Sequence, residues 1–363
     1  MRLLFKLGSK APTIVWVILA QKTVLVTLLI LVPVLLHTPS AGKAGFHPPL
    51  TEGDTEYYLH IATHGYDAVT GICAFYPLWP ACIRMGSWLT GGNTVSVAWL
   101  LANIFSSVGL LLFHRLVWEK HNLPLANRAT MILLVYPGAV FFFFPYSESL
   151  FLLLLMTCLL FMQRKLFWGI AVAAFFLPLA RPIGIFILPV LIWELFVKRA
   201  HLRQYAVCLA PVIGYFCYFG IIYYYKGNPF EGFTEQMQFP AQPSILRIVD
   251  IPGFVTSFAN FTWSHDPLNS FIDRAVFIAF LLSLYWVYRL DTTYYIFALL
   301  VGLIPAMSNI FMSYTRFSSL IFPLFIVWAQ FTHKTRILSF VLMLFFSVQI
   351  LFLLLFISGK WAG

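Results

Sequence analysis

Glu52, Asp54, Glu56 and Asp67 stand close together in an otherwise apolar chain, within LTEGDTEYYLHIATHGYDAVTGICAFYPLWP at 50–80. The spacing predicts a helix over 54–67. Glu56, His60, Thr63, His64 and Asp67 then fall on one stripe at intervals of three or four, with Tyr57, Tyr58, Ile61 and Ala62 on the other side. Asp54 begins the helix. It is either an N-cap, a position that Asp favours, or a general base at a membrane surface. Glu56, His60 and His64 at i, i+4 and i+8 have a spacing that can ligate a metal, but exposed helix faces carry such residues routinely, so no metal is expected. Arg181 in LARPIG and Arg316 in SYTRF each lie between two apolar runs. A guanidinium beside hydrocarbon needs a partner. It either grips an acid or phosphate with its planar fork or snorkels to headgroups. Arg84 has the same two readings. Glu148 in PYSES is either a first-turn acid that suits the helix dipole, behind Ser147 as cap, or a group that orients a sugar hydroxyl.

The elements that position these residues are hydrophobic. The chain has 363 residues, 61% of them hydrophobic and only 10% charged, with mean hydropathy +0.86. Soluble domains carry about 25% charged residues. A water-soluble fold of this composition would expose aggregating apolar patches. The apolar runs are continuous, which selects helices over a β-barrel. The net charge of +10 is no sign of nucleic acid, because Lys and Arg set the orientation of membrane proteins. The five cysteines show neither metal nor disulfide spacing. The basic N-terminus, without a small-residue cleavage site, reads as an uncleaved anchor.

A crossing helix needs about 20 apolar residues. Candidate spans are 20–38, 94–114, 129–145, 147–163, 166–180, 182–197, 204–225, 271–289, 291–311, 316–331 and 337–357. With the N-terminus and Lys22 inside, and 76–90 as a surface helix that does not cross, the inner loops carry Arg115, Lys120, Arg128, Arg164, Lys165, Lys198, Arg199, Arg203, Arg289, Lys334 and Arg336. If 76–90 crossed, these basic loops would face outward, against the positive-inside rule. Glu119, Glu194 and Asp291 also lie inside, and every other acid lies outside. Two long external loops, 39–93 and 226–270, then cover the bundle, and long structured loops are where sites are built. The FYPLWP run at 75–80 is an interfacial aromatic belt that starts the second surface helix.

DTEYYLHIATHGY, FYPLWP, PYSESLF, LARPIG, YTRF and IFPLFI, in that order, resemble the PIG-V type of GT-C glycosyltransferases, the GPI mannosyltransferase 2 enzymes and their prokaryotic relatives. The resemblance implies an all-α polytopic membrane protein, one GT-C domain over 1–363, with roughly eleven transmembrane helices and two interfacial helices in the first external loop. It implies an EC 2.4 enzyme that transfers a hexose, mannose by preference. The donor would be a polyprenyl- or dolichyl-phosphate sugar and the acceptor a hydroxyl of a lipid or glycan, with inversion and without cofactor or metal. Asp54 inherits the base role. Arg181, Arg316, His60 and Arg84 are candidates for the donor phosphate, and Glu52, Tyr57, His64, Tyr76 and Glu148 for the substrates. Gly53 stands where the family usually has Trp, and Pro182-Ile183 where it has Ser-Asn. The expected location is a prokaryotic cytoplasmic membrane with the site facing outward, or the lumenal face of the endoplasmic reticulum in a eukaryote. The competing classes are a lipid or lipid-linked-sugar transporter or scramblase, which would place charge near the midplane and often show repeats, and a non-catalytic lipid-binding subunit.

Overall fold

The computed structural model describes residues 12–35, 48–67, 69–239, 250–260, 267–308 and 310–360. The rest of the two expected external loops, including Asp266 and Arg247, lies outside the described residues. The helices are α1 (Pro12–Leu35), the single turn α2 (Pro48–Thr51), α3 (Asp54–His64), α4 (Leu78–Thr90), α5 (Thr94–Lys120), α6 (Leu123–Val135), α7 (Glu148–Gln163), α8 (Phe167–Ala180), α9 (Ile187–Val197), α10 (Leu209–Lys226), α11 (Glu231–Gln236), α12 (Ile251–Ala259), α13 (Pro267–Leu290), α14 (Thr292–Leu303), α15 (Tyr314–Ser318), α16 (Phe322–Phe331) and α17 (Thr335–Ile357). Five helical stretches among the described residues are long and apolar enough to cross a membrane: Thr13–Leu35, Thr94–Lys120, Leu202–Lys226, Ser270–Leu290 and Thr335–Ile357. The other six expected spans carry shorter apolar helices of 10–17 residues. Helix α5 packs on α7, α7 on α8 and α8 on α10, while α6 lies against α16 and α17.

The shortening has local causes. Tyr136 is extended before Pro137, as a residue preceding proline prefers, and ends α6. A 3₁₀ turn over Pro137–Phe142 follows. The carbonyls freed by this break are taken by side chains, as backbone at membrane depth requires. Gln349 donates to the carbonyls of Leu134 and Tyr136. Asn103 donates to the Phe143 carbonyl. Lys22 Nζ lies 2.9 Å from Ser106 Oγ and 3.0 Å from the Phe142 carbonyl. Lys22 was expected at the inner end of the first span. Because α1 starts at Pro12, Lys22 instead lies ten residues into the helix and faces the bundle. Gly138 lets the 3₁₀ turn touch α15, since a Cβ there would sit 1.9 Å from the Thr315 carbonyl oxygen.

Helices α3 and α4 lie in the segment between α1 and α5 that was expected as the first external loop. Helix α4 has 13 residues, about 20 Å at 1.5 Å per residue, and exposes Met85, Trp88 and Leu89. The basic-loop pattern is what marks it as the helix expected not to cross, since α6 has the same 13 residues. Helix α3 ends at His64, three residues earlier than expected, because Gly65 turns in the left-handed region at φ 82°.

Candidate active site

Four charged side chains from four elements meet beneath α3. Asp54 is the first residue of α3, yet it does not cap the helix. The cap position is Gly53, at φ 65° and ψ −138°, a conformation that only glycine adopts cheaply. The Asp54 carboxylate, 29% exposed, instead accepts from Arg316 Nη2 at 2.6 Å. Arg316 is 4% exposed and donates from Nε to Glu148 Oε1 at 2.5 Å. Glu148, the first residue of α7, is fully buried, and its Oε1 also receives Arg181 Nη1 at 2.8 Å. The sequence Asp54–Arg316–Glu148–Arg181 therefore alternates in sign, with two acids balancing two guanidiniums. Burial without such pairing would cost several kcal/mol per ion.

Each arginine is fixed by its backbone. Arg181 is the extended residue after α8, immediately before Pro182. Arg316 lies on the five-residue α15, which follows Ser313 at φ 61°. Asp273 secures that turn: its Oδ1 accepts from the Thr315 amide at 2.7 Å and the Thr315 hydroxyl at 2.6 Å. The Arg316 guanidinium lies over the rings of Tyr146 and Phe141, 4.6 and 4.9 Å from their centroids. Ser147, expected as the cap of α7, makes no cap hydrogen bond. Its hydroxyl accepts from Arg181 Nη1 at 3.0 Å and shares a 2.8 Å hydrogen bond with Tyr58. Burial pushes the Tyr58 hydroxyl up from its ordinary pKa, so it stays neutral. The Arg181 Nε is buried and has no hydrogen-bond partner among the described residues.

Asp54, Arg181 and Arg316 open onto a cavity of about 550 Å³, which Tyr58, Tyr76 and Tyr215 also line. The Tyr76 and Tyr215 hydroxyls are 3.0 Å apart, and Tyr76 stacks on Tyr218 at 4.2 Å. The remaining wall is apolar, with Ile183, Phe186, Ile304, Met312 and Phe317. One side is closed by Phe233, Gln236 and Phe239 on and after α11. That segment and the preceding α10 are latched to Asp67 and Cys73. Glu235 accepts from the Cys73 amide at 2.6 Å, Lys226 donates to the Asp67 carbonyl at 2.5 Å, and Tyr218 donates to the Cys73 carbonyl at 2.7 Å.

The other residues singled out in the sequence stand apart from the cavity wall. His60 Nε2 lies 2.7 Å from Asp67 Oδ2 and its ring stacks on His64, on the exposed face of α3. The hydrogen bond from His60 holds the Asp67 carboxyl below its usual range. Arg84 is exposed on α4. Tyr57 stacks on Phe75 at 4.5 Å, behind the lining. The Glu52 carbonyl accepts from Tyr146 at 3.3 Å, and partial burial raises the Glu52 carboxyl pKa. Among the described residues, no three His, Cys, Asp or Glu side chains are grouped to hold a metal ion. Tyr58, Ser147, Tyr215 and Asp273 were not expected here. Tyr58 and Ser147 do lie beside Tyr57 and Glu148, but their local patterns read as an apolar face and a cap.

No family model and no curated protein sequence matches the chain. Solved structures do. The oligosaccharyltransferase of Archaeoglobus fulgidus in its apo form aligns over 98% of this chain at 12% identity, with a TM-score of 0.58. The same enzyme tethered to an acceptor peptide containing the NVT sequon aligns over 85% at 12% identity, with a TM-score of 0.50. The chain has the GT-C fold. It spans 57% and 51% of those two chains, about half of their length.

Proposed function

We propose that this protein is a membrane glycosyltransferase that moves a hexose from a polyprenyl- or dolichyl-phosphate to an acceptor hydroxyl, with inversion. The observation that carries the reading is the Asp54–Arg316–Glu148–Arg181 chain at the mouth of a largely apolar cavity. A lipid-linked donor has this same division into an anionic head and an apolar tail. The buried, partnerless Arg181 Nε supports a phosphate oxygen as its complement. The GT-C fold supports glycosyl transfer by analogy of fold alone. The resemblance to PIG-V-type enzymes supports mannose as the sugar.

The acceptor oxygen attacks the anomeric carbon while the carbon–oxygen bond to the donor phosphate breaks, its electron pair staying on the phosphate oxygen. The phosphodiester thereby gains one negative charge as a monoester, and Arg181 and Arg316 are pre-positioned donors for that charge. The acceptor proton passes to Asp54. Phosphate is a good leaving group, so one carboxylate serves, in contrast to the paired acids of glycoside hydrolysis. Arg316 and Glu148 hold Asp54 in place, and the tyrosines of the wall offer faces on which a sugar can stack.

Incubation of the purified protein with polyprenyl-phosphate-mannose and a lipid or glycan acceptor bearing free hydroxyls tests the reading. Release of free polyprenyl phosphate is expected, with Asp54→Asn lowering it about 10²–10⁴-fold at unchanged protein abundance. Wild-type release by that variant removes Asp54 as base. Translocation of the intact lipid across a bilayer, without cleavage, replaces the enzyme by a transporter.

A further inference from the structure

The opposite end of the bundle holds a second charged pocket, independent of the transfer chemistry. Helix α7 runs from Glu148 to Gln163, so its two ends lie about 24 Å apart at 1.5 Å per residue. At the far end lies a pocket of about 690 Å³, within the size range of ligand sites. Three cations (Lys120, Arg164, Lys198) and three acids (Glu119, Asp291, Glu194) line it. They are paired: Lys120 with Asp291 at 2.5 Å, Arg164 with Glu119 at 2.8 Å, and Lys198 with Glu194, while Arg115, outside the lining, also pairs with Glu119 at 2.5 Å. Such partly exposed pairs contribute little net stability, so a ligand can exchange with them at small cost. Gln163 also lines the pocket, and its Oε1 has no hydrogen-bond partner among the described residues.

Trp193 is shared with a second space of about 340 Å³ whose lining is apolar. Pro189, Ile192, Trp193 and Phe196 form one stripe of α9 at intervals of three or four, and Ile296 on α14 faces them across the groove. Thr292 and Thr293, one turn before Ile296, line the charged pocket. The apolar groove thus runs between α9 and α14 from the charged pocket into the bilayer, about 13 Å along α9 from Lys198 to Pro189. Phe196 and Ile192 are exposed, as a lipid-facing wall would be.

We infer that this groove is a binding site for a zwitterionic aminophospholipid. The head group carries a phosphate and a primary ammonium, matching a pocket with both signs in equal number. Lys120, Arg164 and Lys198 meet the phosphate; Glu194, Asp291 and the amide oxygen of Gln163 accept from the ammonium. An acyl chain follows the apolar stripe. An anionic lipid leaves the acids opposed, and a choline head group has no N–H to donate to them.

Native mass spectrometry of the detergent-purified full chain, offered equimolar phosphatidylethanolamine, phosphatidylglycerol and phosphatidylcholine, tests the site. Phosphatidylethanolamine is expected to be retained about tenfold over either of the others, the ratio given by one charge-assisted hydrogen bond. Glu194→Gln with Asp291→Asn removes that preference, since both amides keep their hydrogen bonds to Thr293 and to the Tyr294 amide. Ile296→Trp, which fills the groove and leaves every charge in place, lowers retention of all three lipids. Equal retention of the three by the wild type, or unchanged selectivity in both variants, overturns the inference and leaves only annular lipid. Neither outcome bears on the transfer assay.

Discussion

The two ends of the helical bundle use the same residue types to opposite effect. At one end Asp54, Arg316, Glu148 and Arg181 form a chain in which Glu148 is fully buried and Arg316 nearly so. At the other, the pairs of Glu119, Asp291 and Glu194 have side-chain exposures of 22–45%. The exposed pairs lie among the basic loops and are held by weak, screened attraction. The buried chain has no such setting. Replacing a buried ion network by apolar side chains is often neutral or stabilising. A network that persists in an apolar bundle beneath an open cavity is therefore better explained by what it does than by what it stabilises.

The sharpest way to break this contrast is to remove the shared acid. Glu148→Ala leaves two guanidiniums facing each other without their common partner. The protein is expected to lose about 3–5 kcal/mol of stability, seen as a large drop in thermal unfolding temperature in detergent. Unfolding at the wild-type temperature would mean that the chain is solvated and that the two ends do not differ.

Arg181→Lys separates charge from geometry. Lysine can keep the charge and the contacts to Glu148 and Ser147, which one nitrogen (Nη1) makes, but lacks the buried, partnerless Nε that the phosphate reading uses. Transfer from a polyprenyl-phosphate sugar is expected to fall about 10²–10³-fold with little change in unfolding temperature. Unchanged turnover would make Arg181 a structural counter-ion only.

These long-range pairs explain what was legible in the sequence. The all-helical membrane class and the presence of an apolar helix in each expected stretch follow from composition and hydropathy, which are additive and local, although the bounds shift, as for α1 at Pro12–Leu35 against 20–38. Asp54, Glu148, Arg181 and Arg316 stand out because charge in an apolar chain is conspicuous. The pairing of Asp54 with Arg316, 262 positions away, has no local signature. Local rules instead pointed Asp54 and Ser147 to capping, roles that neither fills. The 3₁₀ turn after Tyr136 was hidden because its sequence, PGAVFF, is as apolar as the helices beside it. Lys22 was misplaced for a related reason: its partners are the Ser106 hydroxyl and the Phe142 carbonyl, in the 3₁₀ turn that follows the break in α6.

Gly53 tests how much backbone conformation contributes to placing Asp54. Gly53→Ala forces a Cβ into a positive-φ conformation at a cost of about 1–3 kcal/mol. The α3 start is expected to shift, so transfer should fall more than this modest destabilisation alone explains. A variant that loses stability and keeps full turnover would show that Arg316 alone positions the carboxylate.

The smallest effect belongs to the far end. Lys198 is 45% exposed and pairs with Glu194 one helical turn away. A double-mutant cycle of Lys198→Ala and Glu194→Ala should give a coupling of about 0.3–0.5 kcal/mol, vanishing in molar salt, where the Debye length falls to about 3 Å. The Asp54–Arg316 pair, with its arginine buried, should keep most of its coupling at the same salt concentration. A far-end coupling of several kcal/mol that survives salt would mean that its pairs, too, are sealed from water. The exchange with a lipid head group would then cost too much for the groove between α9 and α14 to bind one.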